Sequence, residues 1–378
     1  MTGMKRDVVL RELSLLGSDL GHALQRDRAQ ARRLIGPVIP QNCTRIFLVG
    51  CGDSWHAGWA AREAFSTLAG VELCPVSAND FLLATPPTLV NSVVIGISAS
   101  GATARVIEAI NLAKKRQCRV VGISCQPDAA LFQHADGAMM VGVDSPQPAP
   151  GIRTYQASYT ALLCMALEFG LARGRLNAAD EAAMEHSHAR VAQELDSQTA
   201  RCRNPESLCD EPLIKRMASA PLLHVLGSGS AFGSALHAAA KFAEIAGKSC
   251  IAKDLEEWWH VDRFGFSDEC LLVVFMHAGE QTPRQLSAVA RLGNHGVRPY
   301  LVGPQKVLAQ VADPTLLRAA LADDIPQTLQ PLIDAHWSAA AAAHLATAMN
   351  VHPFNNLFNR RSIDECAIDR PTSVLLGL

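Results

Sequence analysis

The sequence predicts an α/β protein of two tandem domains, each a mostly parallel sheet with helices on both faces. Three observations carry that prediction. A Gly-rich turn occurs twice, as Val49-Gly50-Cys51-Gly52-Asp53-Ser54 and as Leu226-Gly227-Ser228-Gly229-Ser230-Ala231, and the glycines of the two copies keep one interval (227−50 = 229−52 = 177). Each turn follows an apolar run, Arg45-Ile46-Phe47-Leu48 in one copy and Leu222-Leu223-His224-Val225 in the other. Downstream, the stretch Val93 to Thr103 is answered by Leu271 to Thr282, an apolar strand running into a polar turn. A repeated order of strand, Gly-rich turn, helix, strand, polar turn and helix is a duplicated βαβ unit. A chain of 378 residues has the length of about two domains.

The elements follow in order. Residues 1–38 read as a helical lead-in, with Val8, Leu10, Leu13 and Leu16 at helix-like spacing. The first domain, 39–198, carries strand candidates at 45–50, 71–76, 92–98, 118–124 and 137–142, each short, apolar and bounded by Gly, Asn, Asp or Pro. Two long helices near 153–173 and 179–198 close it, and the polar stretch 199–212 reads as a linker. The second domain, 213–352, repeats the pattern with strands near 221–226, 249–253, 270–276 and 298–303 and a long Ala-rich helix near 328–349. A tail, 353–378, follows.

Composition bounds the function. With 49% hydrophobic and 19% charged residues, the composition is ample for two buried cores and argues against disorder. A net charge of −2, with no basic run longer than Lys114-Lys115-Arg116, argues against a nucleic-acid partner. The cysteines form no CxxC pair, and Cys74, Cys118, Cys125 and Cys164 sit in apolar stretches where a thiol acts as a small hydrophobe. No zinc site, disulfide or cofactor is expected. The N-terminus lacks the apolar core of a signal peptide, and the Ala-rich run from Trp337 to Asn350 is too short to span a bilayer. A soluble cytoplasmic protein without a membrane partner is expected.

Two segments carry chemistry. Ser98-Ala99-Ser100-Gly101-Ala102-Thr103 ends an apolar strand and opens a helix, where free N–H groups and the helix dipole attract an anion. Its hydroxyls could instead merely cap the helix. The matching turn Gly52-Asp53-Ser54 on a neighbouring strand favours a phosphate-sized ligand. The second copy, His277-Ala278-Gly279-Glu280-Gln281-Thr282, has no serine and gains a carboxylate, so one phosphate site is expected. In the other segment Lys241 and Glu244, three apart, share a helix face in the apolar run Ala238 to Ala246. A surface ion pair is the plain alternative. The apolar flanks predict a desolvated Glu244 suited to general-base work. Beyond it lies Asp254-Leu255-Glu256-Glu257-Trp258-Trp259-His260, where His260 reads either as a structural histidine on tryptophan or as a functional one.

Together, the two Gly-rich turns, the Ser98 to Thr103 loop, and Glu244 and His260 sixteen positions apart resemble the double sugar isomerase (SIS) domain family. The likeness, over about residues 40–360, is to the isomerase half of glucosamine-6-phosphate synthase and to the fructosamine-6-phosphate deglycases; the synthase's glutamine-hydrolysing domain has no counterpart. The resemblance implies a sugar-phosphate site of Gly52, Asp53, Ser54, Ser98, Ala99, Ser100, Gly101, Thr103, Ile152 and Thr154. It implies Glu244 as the base moving a proton between C1 and C2 and His260 as the acid; Lys241, one turn from Glu244, can steady an anionic intermediate or an open-chain oxygen. It also implies a homodimer in which the histidine enters from the neighbouring subunit, so that Trp258-Trp259-His260 should be buried only where two subunits meet. The chain departs from the synthase at Ala99, where that enzyme has Gln, at Gln156, where Lys is common, and at Pro353-Phe354-Asn355-Asn356, which lacks the synthase's lysine. The expected activity is therefore isomerisation of a 6-phosphorylated sugar or amino sugar through an enediol or enaminol. The alternatives are deglycation of a sugar–amine 6-phosphate and a non-catalytic sugar-phosphate sensor.

Overall fold

The computed structural model describes residues 6–84, 88–143, 149–202 and 211–354. These fall into two compact units, one within 18–146 and 153–188, the other within 1–17, 147–152 and 189–356. The N-terminal helix α1 (Arg6–Leu34) contributes to both.

The first unit is built on five strands: β1 (Arg45–Gly50), β2 (Glu72–Ser77), β3 (Ser92–Ile97), β4 (Arg119–Ser124) and β5 (Gly137–Met140). They lie in the order β2-β1-β3-β4-β5, and every pairing is parallel. Val93, Val94, Ile95, Val120, Val121 and Ile123 have no exposed surface, as a sheet covered on both faces requires. Between the strands run α2 (Asp53–Ala64, prolonged by a π-turn over Phe65–Ala69), α3 (Ala78–Ala84), α4 (Ala104–Lys115) and α5 (Ala130–His134). Helix α6 (Arg153–Ala172) is buried along nearly its whole length, and α7 (Ala178–Cys202) follows it. The expected linker begins inside α7, which runs on to Cys202; residues 203–210 lie outside the described residues.

The second unit repeats the plan. After α8 (Glu211–Ser219) come β6 (Leu223–Gly227), α9 (Ser230–Ala246), β7 (Cys250–Asp254), α10 (Leu255–His260), β8 (Leu271–Phe275), α11 (Thr282–Asn294), β9 (Tyr300–Pro304), α12 (Gln305–Leu308), β10 (Arg318–Leu321) and α13 (Gln330–Ala348). Read from the β7 edge, the order β7-β6-β8-β9-β10 is that of the first sheet. The sequence reading found four of these strands and missed β10, whose Arg-Ala-Ala-Leu carries no β-branched or aromatic side chain. The repeat extends to single bonds. Ser98 N donates to Ile123 O over 3.1 Å, and Met276 N donates to Val302 O over 2.8 Å, one bond past the strand in each copy.

The duplicated turns have the same backbone. Gly52 (φ 53°, ψ −127°) and Gly229 (φ 62°, ψ −129°) each precede the first residue of their helix. That region is closed to residues with a Cβ, which is why both copies spell glycine there. The described cysteines are free thiols. Burial pushes those of Cys118, Cys125 and Cys250 up to about 12, so they pack as small hydrophobes. Among the described residues no helix is long and apolar enough to cross a membrane.

Candidate active site

In a doubly wound sheet the ligand crevice opens where strand order reverses, at the carboxyl ends of two adjacent strands. In the first unit those strands are β1 and β3, paired with Val49 opposite Gly96. The turns 51–54 and 98–103 leave the sheet there, which brings most of the expected phosphate-binding residues to one edge.

The 98–103 turn is held from below. Ala99 O accepts from Cys125 N (3.3 Å) and Ser124 Oγ (3.4 Å), and Gly101 O accepts from Leu131 N (2.9 Å). Gly101 has φ +69°, and a Cβ there would lie 2.3 Å from Ala129 Cβ, so glycine is needed twice over. Ser98 Oγ lies 2.8 Å from Thr103 Oγ1 and 3.4 Å from Ser100 Oγ, which gathers three hydroxyls at one point. Ser98 is buried, Thr103 half-buried and Ser100 exposed.

Thr103 is the N-cap of α4, yet its side chain makes no capping bond, and no acid stands in the helix's first turn. The dipole of α4 is therefore offset by no carboxylate, while two of the hydroxyls accept from the turn's own backbone, Ser98 Oγ from Thr103 N (3.3 Å) and Ser100 Oγ from Ala102 N (3.4 Å). α2 differs: Asp53 sits in its first turn, with Oδ1 3.4 Å from His56 Nδ1. A carboxylate there competes with a phosphate, so α4 is the stronger anion site of the two. Ser54, the next residue, is buried. Thr154 is the second residue of α6 and half-buried, and the neighbouring Arg153 is engaged by Asp19 in a two-pronged pair (2.5 and 2.9 Å). Ile152, just before α6, is buried and counted with the other unit.

The corresponding edge of the second unit has different chemistry. Met276 stands where Ser98 stands in the first copy, Pro283 in the first turn of α11 removes one N–H donor, and Glu280 adds a carboxylate. The expectation of one loaded cradle rests on these substitutions.

The second unit holds the three residues expected to act on the substrate. Lys241 has no exposed surface, and its Nζ donates to Glu244 Oε2 over 2.5 Å. The expected desolvation of Glu244 is corrected: its side chain is 34% exposed, and the apolar flanks bury the lysine instead. Positions 241 and 244 are about 60° apart around the helix, enough to move the acid to the rim of the buried face. The backbone carbonyl of Glu244 accepts from Phe354 N (2.7 Å), which brings the last described residue onto α9. His260 ends α10 with its side chain 67% exposed and Nε2 3.6 Å from Glu256 Oε1.

The expected burial of Trp258-Trp259 between subunits is also corrected. Both indoles belong to the unit's own core, packed with Leu226, Leu255, Leu272, Val274 and Met276. Trp258 Nε1 donates to His224 Nδ1 over 3.1 Å. Exposure begins just past them, at His260, Val261 (66%) and Phe264 (77%). The indoles have enough neighbouring strand and helix surface to be covered without a partner.

One cluster escaped the sequence reading. Ser230 Oγ lies 3.0 Å from His277 Nδ1, while His277 Nε2 and Ser234 Oγ each lie 2.6 Å from Asp334 Oδ2, all four side chains buried. The available signal was Asp334 itself, the single acid of the Ala-rich helix α13. Among the described residues no group of His, Cys, Asp or Glu is arranged to hold a metal ion.

The fold is that of two tandem units with the same parallel sheet order. Residues 41–167 match the SIS domain family, so the chain carries a SIS domain there, and the second unit repeats its sheet. Among relatives, the glutamine–fructose-6-phosphate aminotransferase (isomerizing) of Synechocystis sp. is 26% identical over 220 residues, 56% of this chain and 34% of that protein. The enzyme of that name from Gloeobacter violaceus is 30% identical over 136 residues, 34% of this chain and 21% of that protein. The chain thus spans about a third or less of the length of these relatives. Among solved structures, the C-terminal domain of glucosamine-fructose-6-phosphate aminotransferase from Francisella tularensis superposes with a TM-score of 0.81 at 17% identity, covering 92% of this chain and 98% of that one. Tagatose-6-phosphate ketose/aldose isomerase from Escherichia coli superposes with a TM-score of 0.70 at 18% identity, covering 92% and 94%. At these identities the two structures share the fold.

Proposed function

We propose that this protein isomerises a 6-phosphorylated sugar or amino sugar by moving a proton between C1 and C2. The observation that carries the proposal is the 98–103 turn: three hydroxyls grouped at the N-terminus of a helix that has no acid in its first turn. That is a dianion site, and a phosphate on a flexible polyol fits it. Gly52, Ser54 and Thr154 would complete the phosphate cradle. The names of the relatives, fructose-6-phosphate and tagatose-6-phosphate enzymes, point to the same substrate class.

For the chemistry, Glu244 is the base. Its side chain is open to a ligand, and the buried ammonium of Lys241 beside it can hold the carboxylate in place and stabilise charge developing on an enediolate oxygen. His260, exposed at the end of α10, is the acid for ring opening, and the exposed Val261 and Phe264 beside it form the surface that a second copy of the chain covers. The proton transfer at a carbon next to a carbonyl needs only these acid and base groups.

The test is solvent deuterium exchange at C2, followed by NMR with a panel of hexose, hexosamine and fructosamine 6-phosphates. Isomerase activity gives exchange with interconversion of aldose and ketose. Release of a free amine without interconversion would assign the deglycase reaction, and saturable binding with no exchange would make the protein a sensor. Glu244→Gln should lower turnover about 10²–10⁴-fold with the Michaelis constant nearly unchanged. Loss confined to the Michaelis constant would make Glu244 a binding residue.

A further inference from the structure

Helix α9 carries a buried polar stripe. Ser230, Ser234, His237 and Lys241, spaced four, three and four apart, share one face and are buried, and Glu244 stands three residues on. α9 packs along α13, whose residues Ala339 to Ala343 have no exposed surface. Five consecutive alanines make this stretch of α13 smooth on every side, without the knobs that fix the axial register of two helices. The large apolar contact at this seam is Phe242 of α9 edge-on to Trp337 of α13, with centroids 6.4 Å apart, and it holds the helices at one point only.

The buried cluster supplies what the alanines lack. Asp334 Oδ2, on α13, accepts from Ser234 Oγ and His277 Nε2, each over 2.6 Å. His277 Nδ1 lies 3.0 Å from Ser230 Oγ, so both serines of α9 are tied to one carboxylate, one directly and one through the imidazole. The backbone that carries the imidazole is anchored as well, since His277 N donates to Gln285 Oε1 (3.1 Å) and His277 O accepts from Thr282 Oγ1 (3.2 Å). Ser230, His277 and Asp334 could pass for a hydrolytic triad, but Ser230 has no exposed surface through which an acyl group could reach it. A buried polar network is a poor source of net stability compared with apolar side chains of the same volume, and its best-attested role is to select one arrangement among several.

We propose that Asp334 and His277 are positioning residues: they set the axial register of α9 on α13 and so the height at which Lys241 and Glu244 are presented. The link to turnover rests on the reading of Glu244 as the base. The register itself does not.

The decisive variant replaces the pair by apolar side chains, His277→Leu with Asp334→Leu, in the full chain. The expected result is a folded protein with a thermal midpoint equal to or above that of the wild type and the Michaelis constant within about twofold. Turnover should fall about 10- to 100-fold, because a reacting group misplaced by about an ångström costs that much. A crystal structure of the variant should show α9 displaced along α13 by about 1.5 Å or more, one residue's rise, or present in more than one register. Turnover within twofold of the wild type, or a turnover loss that only follows the folded fraction, overturns the proposal. If the double variant does not fold, Asp334→Asn, which keeps the shape, should still lower turnover at an unchanged midpoint; unchanged turnover there also overturns it. If the wild type shows no proton exchange at all, the isomerase reading has failed. The register is then judged on the crystal structure alone, where an undisplaced α9 overturns it.

Discussion

Lys241 and Glu244 cannot be treated as independent side chains. The ammonium is fully buried and its partner is a third exposed, so deleting the carboxylate leaves a charged donor inside the unit. Leaving a charged donor without this acceptor costs about 1–3 kcal/mol, toward the lower end here because water reaches the rim of the site. Glu244→Ala should therefore lower the urea-unfolding free energy by about that amount, whereas Glu244→Gln, which keeps an acceptor oxygen, should lose less. Equal stability of the two variants would show that the bond does not bear on folding. At the phosphate turn, Ser98→Ala with Ser100→Ala should weaken sugar-phosphate binding by about 1.5–3 kcal/mol per charged hydrogen bond lost, read by calorimetry against the unphosphorylated sugar. An unchanged affinity would place the anion elsewhere. The Ser98 to Thr103 turn was legible in the sequence because strand end, glycine and hydroxyl density are local signals. The Ser230, Ser234, His277 and Asp334 cluster was not, since its bonds join residues 47, 57 and 100 positions apart. Glu244 was read as desolvated because its sequence neighbours are apolar, while burial depends on which side of the helix meets α13.

Among the elements, the order of strands and helices followed from pattern alone, because parallel strands buried on both faces read as short unbroken apolar runs. Elements that depart from that pattern were the ones lost. β10 has two alanines at its centre, and α7 continues through a polar stretch that composition marks as a linker. The 98–103 turn shows how such elements hold a site in place. It hangs from β4 and the start of α5 by backbone bonds, and Ala129 fills the space beneath Gly101. Gly101→Ala must both enter a left-handed conformation and push against Ala129 Cα at 2.8 Å, a backbone contact with no flexible end to yield. Such strain costs about 1–3 kcal/mol, and the turn can relieve it by breaking the bonds to Leu131 and Cys125. The expected outcome is near-complete loss of phosphate binding with only a modest fall in the thermal midpoint. Gly174→Ala offers the control, since φ +66° strains it as well, its Cβ points into open space and it lies outside the cradle. Equal binding by Gly101→Ala and wild type would mean that the turn is not the anion site.

On the scale of the whole molecule, each unit has a deeply buried imidazole held neutral. His188 lies in the first unit, its Nδ1–H donating to Met184 O (2.9 Å) and its Nε2 without a partner among the described residues; burial holds its pKa down at about 4. His336 lies in the second, its Nε2–H donating to Thr199 Oγ1 (2.9 Å), and burial holds it down at about 3. In the unfolded chain both titrate near the ordinary 6.5. Because the folded values are depressed, the unfolded state binds more protons as acid is added. The stability from a neutral imidazole is complete above about pH 6.5 and is lost as pH falls toward 4 and 3. At 1.36 kcal/mol per pH unit, each site should cost about 2–3 kcal/mol between pH 7 and pH 4.5. The uncharged variants His188→Gln and His336→Gln should start less stable at pH 7, through imperfect packing, yet lose less stability on acidification than the wild type by about that amount apiece. Urea titrations at pH 7, 5.5 and 4.5 give the slopes, with carboxylate contributions cancelling between wild type and variant. The glutamine at 188 should flatten the acid response of the transition that reports the first unit, and the one at 336 that of the second. Parallel pH profiles for wild type and variants would show that neither imidazole is held neutral in the folded protein.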